Sequence, residues 1–216
     1  MIDESPWPPV MGEFETLELI IAQGLSYGSF GDGEIQCIHG RGSMSQTSSP
    51  ALAAELRGIL MDPHPLMLPG IPTLDPKGPK SARWHRFTAR MRPHLGETVI
   101  YGSAFIGARD QCPWIDTHEY CEMLRGMARG KRLCIVASED ARLDGLVENG
   151  PSVVHCPKTE AYEVIDDLVT RVLATEPELV LMMAGATAPC MASRLAGRVQ
   201  AVDLGRGLGL LRMHRA

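Results

Sequence analysis

The chain has 216 residues, 44% of them apolar and 22% charged, with a formal net charge of −5 and a pI of about 5.8. That length and composition suit one globular domain over residues 1–216 with a sizeable core, and the acidic balance gives no global attraction to nucleic acid or an anionic membrane. No apolar run approaches bilayer length (Leu179–Ala184 is among the longest), and the start, "MIDESPWPPVMGEFE", lacks the basic and apolar segments of a signal peptide, so a cytoplasmic location with no membrane span is expected.

In chain order, "EFETLELIIAQGL" (13–25) reads as an amphipathic helix and "SYGSF" (26–30) as a short strand. "SPALAAELRGILM" (49–61) is a helix opened by Ser49 as cap and Pro50 at its first position. Residues 62–80 carry six prolines and are expected to form an irregular surface loop or lid. "ETVIYGSAF" (97–105) gives a strand, and "IDTHEYCEMLRGMARG" (115–130) a helix whose Asp116 and Glu119 have capping-box spacing. Arg125, Arg129, Lys131 and Arg132 fall at its solvated end.

The second half alternates more regularly. "KRLCIVAS" (131–138), "SVVHC" (152–156), "ELVLMMAG" (178–185) and "VQAVDLG" (199–205) read as strands, and "ARLDGLVEN" (141–149), residues 159–177 and "TAPCMASRLAG" (187–197) as helices. His155, inside an apolar run, is expected to be a core histidine. This order predicts an α/β, Rossmann-like domain with a mostly parallel sheet and helices on both faces. The six cysteines form no Cys-x-x-Cys pair, so reduced core thiols are expected rather than disulfides or zinc.

In such a sheet ligands bind beyond the carboxyl ends of the strands. Four polar clusters fall there: Gly31-Asp32-Gly33-Glu34, Tyr101-Gly102-Ser103, Ser138-Glu139-Asp140 and Gly185-Ala186-Thr187. In an extended segment Asp32 and Glu34 would face one side, and two hard carboxylates suit Mg²⁺ or Mn²⁺ completed by substrate phosphates. The same Asp-Gly pairs also fit a plain turn. "AGATAP" (184–189) opens a helix and could cradle a phosphate on Gly185 and Thr187, or be a glycine turn with a Thr cap. No Gly-x-Ser-x-Gly elbow or phosphate-binding Gly-Lys-Ser/Thr loop occurs, and "HEYCE" lacks the second histidine of a zinc protease.

The order of these motifs resembles the GT-D glycosyltransferases. The matching pieces are "SFGDGE", "YGSAFIGAR" (101–109), "ASEDARLDGLVENG" (137–150), "HCPKTEAYEVIDDL" (155–168), "MMAGATAPCMASRL" (182–195) and "QAVDLG". The resemblance implies transfer of a sugar from a nucleotide-sugar donor, a UDP-sugar, to a glycan, glycoprotein or other small acceptor. It also implies an Asp-x-Glu motif, here Asp32 and Glu34, holding Mn²⁺ or Mg²⁺ against the diphosphate. Gly31, Gly33, Ser103, Arg109, Glu139, Arg142, Gly185 and Thr187 would line the donor pocket, and Glu139 and Asp116 are the candidates for a catalytic base, between which the sequence does not choose. The family tends to have arginine where Ser29 stands, and histidine where Arg206 stands. These departures keep open a nucleotide-sugar binder that has lost catalysis. Action on modified nucleic-acid bases is a further alternative, which the acidic charge does not favour.

Overall fold

The computed structural model describes residues 7–73, 87–108, 112–143 and 150–211. Among these residues seven strands form one all-parallel sheet: β1 (Ser26–Ser29), β2 (Met67–Ile71), β3 (Gly102–Ser103), β4 (Leu133–Ala137), β5 (Ser152–His155), β6 (Leu179–Met183) and β7 (Gln200–Asp203). Their spatial order is β3-β2-β1-β7-β6-β4-β5. The helices flanking it include α1 (Glu13–Gln23), α2 (Asp32–Ile38), α3 (Pro50–Met61), α4 (His118–Ala128), α5 (Ile165–Ala174) and α6 (Ala188–Leu195).

Alternation along each strand splits the core in two. On β4, Leu133, Ile135 and Ala137 pack with Leu17 and Ile20 of α1 and Leu124 of α4. Cys134 and Val136 point the other way, toward Leu56 of α3, Leu168 of α5 and Met191 of α6. Helices therefore cover both faces, as expected. On α3, buried Leu52, Ala53, Leu56, Ile59 and Leu60 form one helical stripe, and the Ser49 hydroxyl accepts the Leu52 N–H at 3.2 Å. All six cysteines are buried free thiols.

The proline-rich segment holds a correction. Residues 67–71 are not loop but β2, fully buried and paired on both sides. Pro69 survives there for a geometric reason. Ser26 and Phe30 of the β1 segment donate to Leu66 and Gly70 carbonyls, so even-numbered residues of β2 bond β1 and Pro69 faces the β3 side. Yet β3 pairs with β2 only at Gly70 and Ile71, so the missing N–H removes no ladder bond. Residues 74–80 of the expected loop lie outside the described residues.

Five smaller expectations change. The 97–105 strand shrinks to Gly102–Ser103, with Tyr101 making an isolated bridge to Val10. Thr117, not Asp116, caps α4, its hydroxyl accepting the Tyr120 N–H at 3.3 Å. The 159–177 helix begins at Ile165 after a 3-10 turn, Ala161–Val164. His155 is exposed on the edge strand β5 rather than buried. Of the 141–149 helix, residues 141–143 are not helical and 144–149 lie outside the described residues.

Candidate functional site

Strands β1 and β7 are neighbours, but the chain leaves them toward opposite faces. After β1 it enters α2, whose Ile35 and Cys37 join the α3–α5–α6 layer. After β7 it enters a 3-10 segment, Gly205–Leu211, whose Leu208, Leu210 and Leu211 join the α1–α4 layer. Divergence of this kind opens a crevice at the carboxyl edge between the two strands, the usual ligand position in an open parallel sheet.

Two acids meet in that crevice. Asp203, at the end of β7, is 5% exposed. Its Oδ2 accepts the Ser29 hydroxyl at 2.7 Å and the Ser29 N–H at 3.2 Å, and its Oδ1 accepts the Gly205 N–H at 3.0 Å. Glu34, on α2, is 9% exposed, and its Oε2 accepts the Gly31 N–H at 2.7 Å. Burial pushes the Glu34 carboxyl up to about 7. The Asp203 charge adds to that rise, while the N–H groups of Glu34 and Gly31 oppose it. Burial likewise pushes Asp203 up to about 6, against the hydrogen bonds from Ser29 and Gly205. Among the described residues no lysine, arginine or histidine forms an ion pair with either acid.

The Asp-x-Glu segment is not extended. Asp32 is the first residue of α2 and Glu34 its third, so the two-residue alternation that would aim both carboxylates at one spot does not apply. Glu34 instead turns back onto the Gly31 N–H, and Asp32 is half-buried at the helix start. Asp203 escaped the sequence reading. The same rule that singled out the other strand ends applies to the last strand, whose acid is followed by Leu204 and a glycine.

The turn Gly185–Thr187 comes to the same place. A Cβ added to Gly33 would lie 4.0 Å from the Ala186 Cβ and 3.4 Å from the Ser43 Cβ; one added to Gly185 (φ 55°) would lie 3.0 Å from the Ser45 Oγ. Loop residues 43–46 thus form a wall beside both segments. Gln46, 3% exposed, pins that wall: its Oε1 accepts from Thr187 Oγ1 at 3.2 Å and from the Tyr162 N–H at 3.1 Å, while its Nε2 donates to Glu160 at 2.9 Å. The Thr187 hydroxyl is therefore spent inside the protein rather than presented to a ligand.

Other candidates are not brought to the crevice. Ser103 is wholly buried, its hydroxyl donating to Glu13 Oε1 at 2.7 Å, and Glu13 also accepts from Trp114 Nε1 at 2.9 Å. That pairing ties β3 to α1. Glu139 is exposed after β4, three strand spacings from β1, about 14 Å at ~4.8 Å each. It lines a separate cavity of about 600 Å³ with Ser138, Asp140, His155 and Lys158. Arg142 is exposed just beyond it, Asp116 is exposed next to the cap of α4, and Arg109 lies outside the described residues.

The donor set fits a hard divalent cation in one way. Among the described residues no three His, Cys, Asp or Glu side chains converge as a ready-made cage. The protein would supply only carboxylate oxygens from Asp32 and Glu34, leaving the remaining positions to phosphate oxygens or water, as is common for Mg²⁺. Two buried, mutually repelling acids without an ion pair are the electrostatic setting such a cation relieves.

A solved structure described as the highly conserved domain of unknown function 1792, with a distinct glycosyltransferase fold, matches 91% of this chain and 78% of its own at 26% identity and a TM-score of 0.79. A selenomethionine structure of domain of unknown function 1792 matches 91% of this chain and 77% of its own at 27% identity and a TM-score of 0.77. One from Streptococcus sanguinis, described as a new glycosyltransferase of the same domain type, shares the fold at 24% identity and a TM-score of 0.76, over 92% of this chain and 81% of its own. No curated protein matches. The sequence pattern of the glycosyltransferase GT-D fold covers residues 28–207, from β1 through the far side of the crevice, and the chain belongs to that family.

Proposed function

We propose that this glycosyltransferase-family chain moves a sugar from a nucleotide-sugar donor, a UDP-sugar, to a glycan, glycoprotein or small acceptor with the help of Mn²⁺ or Mg²⁺. The observation that carries the reading is the buried pair Glu34–Asp203 at the β1–β7 divergence, with Asp32 beside it and the Gly185–Thr187 turn opposite. Asp32 and Glu34 would hold the cation, which when bound neutralises charge on the departing diphosphate. Asp203, fixed by three donors, keeps one orientation and acts on the pair through its charge. Gly33 and Gly185 leave room for close approach of the diphosphate to backbone. Glu139 and Arg142 belong in this reading to the distant part of the donor site, so Glu139 is assigned to binding rather than proton transfer.

Ser29 keeps the rival alive: where the family tends to carry a cation, this chain places a hydroxyl that is already bonded to Asp203. Calorimetry with UDP in the presence and absence of Mn²⁺, followed by a donor-hydrolysis assay, tests both. Mn²⁺-dependent binding with hydrolysis supports the enzyme, and binding without hydrolysis supports a degenerate binder. Absence of UDP binding contradicts both.

A further inference from the structure

A free hydroxyl stands on the wall of the crevice. Loop residues 43–46 pack against Gly33, which lies between Asp32 and Glu34, and against the Gly185–Thr187 turn. The other hydroxyls here are already committed. Ser29 donates to Asp203 at 2.7 Å, Thr187 to Gln46 Oε1 at 3.2 Å and Ser43 to the Gln46 carbonyl at 3.5 Å. Ser45 differs. It is half-buried, and among the described residues its Oγ has no hydrogen-bond partner. That Oγ is nevertheless placed, because it lies 3.0 Å from where a Cβ on Gly185 would stand. It therefore occupies the space that the glycine leaves, and a ligand approaching the Gly185 backbone meets it.

The loop is gripped by one residue of the connection between β5 and α5. Glu160 donates its N–H to the Ser45 carbonyl at 2.9 Å. Its carboxylate accepts the Thr47 N–H at 3.1 Å, the Thr47 hydroxyl at 2.7 Å and a proton of Gln46 Nε2 at 2.9 Å. Glu160 does this with φ at 57°, the left-handed region that residues other than glycine disfavour. Backbone and side chain of one strained residue thus hold three successive loop positions, and Ser45 is in place before any ligand arrives. A hydroxyl held without a partner is a donor suited to a phosphate oxygen, since hydrogen bonds to an anion are stronger than those between neutral groups. We propose that the Ser45 hydroxyl donates to the diphosphate of the nucleotide-sugar donor, and that Glu160 is the positioning residue that sets it there. The identity of the ligand rests on the proposed function, and the placing of the hydroxyl rests on the loop contacts.

The test uses the full chain, with UDP binding in Mn²⁺ measured by calorimetry, folding by melting curves and the loop by hydrogen exchange. The variants are Ser45→Ala, Glu160→Ala, the two combined, and Glu160→Gln, which keeps an oxygen for the Thr47 N–H. Ser45→Ala should weaken UDP binding about tenfold or more, as loss of one hydrogen bond to a charged group does, while melting and exchange at residues 43–47 match wild type. Glu160→Ala should speed exchange there and weaken UDP binding, and Glu160→Gln should recover most of that binding. Because Glu160 acts through Ser45, the double variant should bind no more weakly than the weaker of the two single variants. Unchanged UDP affinity in Ser45→Ala overturns the contact, and so does a loss accompanied by faster loop exchange, which makes the hydroxyl structural. Losses that multiply in the double variant overturn the positioning role. Absence of UDP binding in wild type contradicts the proposed function and the contact together, whereas wild-type binding equalled by Ser45→Ala contradicts the contact alone.

Discussion

Glu34 and Asp203 share a crevice without a cation from the protein, and the cost of that arrangement is measurable. Glu34 titrates near 7 in the folded chain against an ordinary value of 4.5. Between those values the folded state binds more protons than the unfolded one. Its contribution to stability therefore falls as pH rises from about 4.5 to about 7, and stays reduced above. Glu34→Gln keeps an oxygen for the Gly31 N–H but carries no charge. Its melting temperature at pH 8 should exceed wild type by a few degrees, at about 2–4 °C per kcal/mol, with the gap closing by pH 4.5. Melting curves across that range check the slope. The reading of Asp32 and Glu34 as neighbours at a strand end was available from residue order, but their mutual geometry was not. Whether Gly31 starts a turn, an extended run or a helix depends on Ile35 and Ile38 finding a core, which local spacing does not reveal. Asp203 shows the reverse case, a strand-end acid visible in "VDLG" whose partners, Ser29 and Glu34, are about 170 residues away.

The strands β4, β6 and β7 and helices α1 and α3 could be read almost to the residue because each satisfies a local rule: unbroken apolar runs, a 3.6-residue stripe, a Ser-Pro start. β2 could not, because Pro69 obeys a rule that only its neighbours decide, namely which side of a strand lacks a pairing partner. Close packing between elements is equally hidden. A Cβ on Gly28 of β1 would lie 2.7 Å from the Pro189 Cα of α6. Gly28→Ala should therefore destabilise the fold by about 1–3 kcal/mol, seen as an earlier urea midpoint at unchanged slope. Gln46 binds two separate segments, Glu160–Tyr162 and Thr187, and removing its amide leaves buried donors at Thr187 and Tyr162 without their acceptor. Gln46→Ala should cost about 2–3 kcal/mol and speed hydrogen exchange in residues 43–47 before the sheet is affected. Unchanged exchange there would show that the loop is held by other contacts.

Across the molecule, the parallel sheet does two jobs. It buries strands on both faces, which fixes the fold, and the chain leaves the paired strands β1 and β7 toward opposite faces, which makes the crevice. No helix among the described residues is long and apolar enough to cross a membrane. Family membership accounts for the fold and for a glycosyltransferase reading, while metal dependence rests on the acids. The deciding measurement is turnover of a panel of UDP-sugars in Mn²⁺ and in excess chelator, for wild type, Asp32→Ala and Glu34→Ala, with melting curves confirming that each variant is folded. The proposal expects Mn²⁺-dependent turnover in wild type and a loss of roughly 100-fold or more in each variant, several kcal/mol of barrier. Turnover that persists in chelator, or is undiminished in both folded variants, would contradict it.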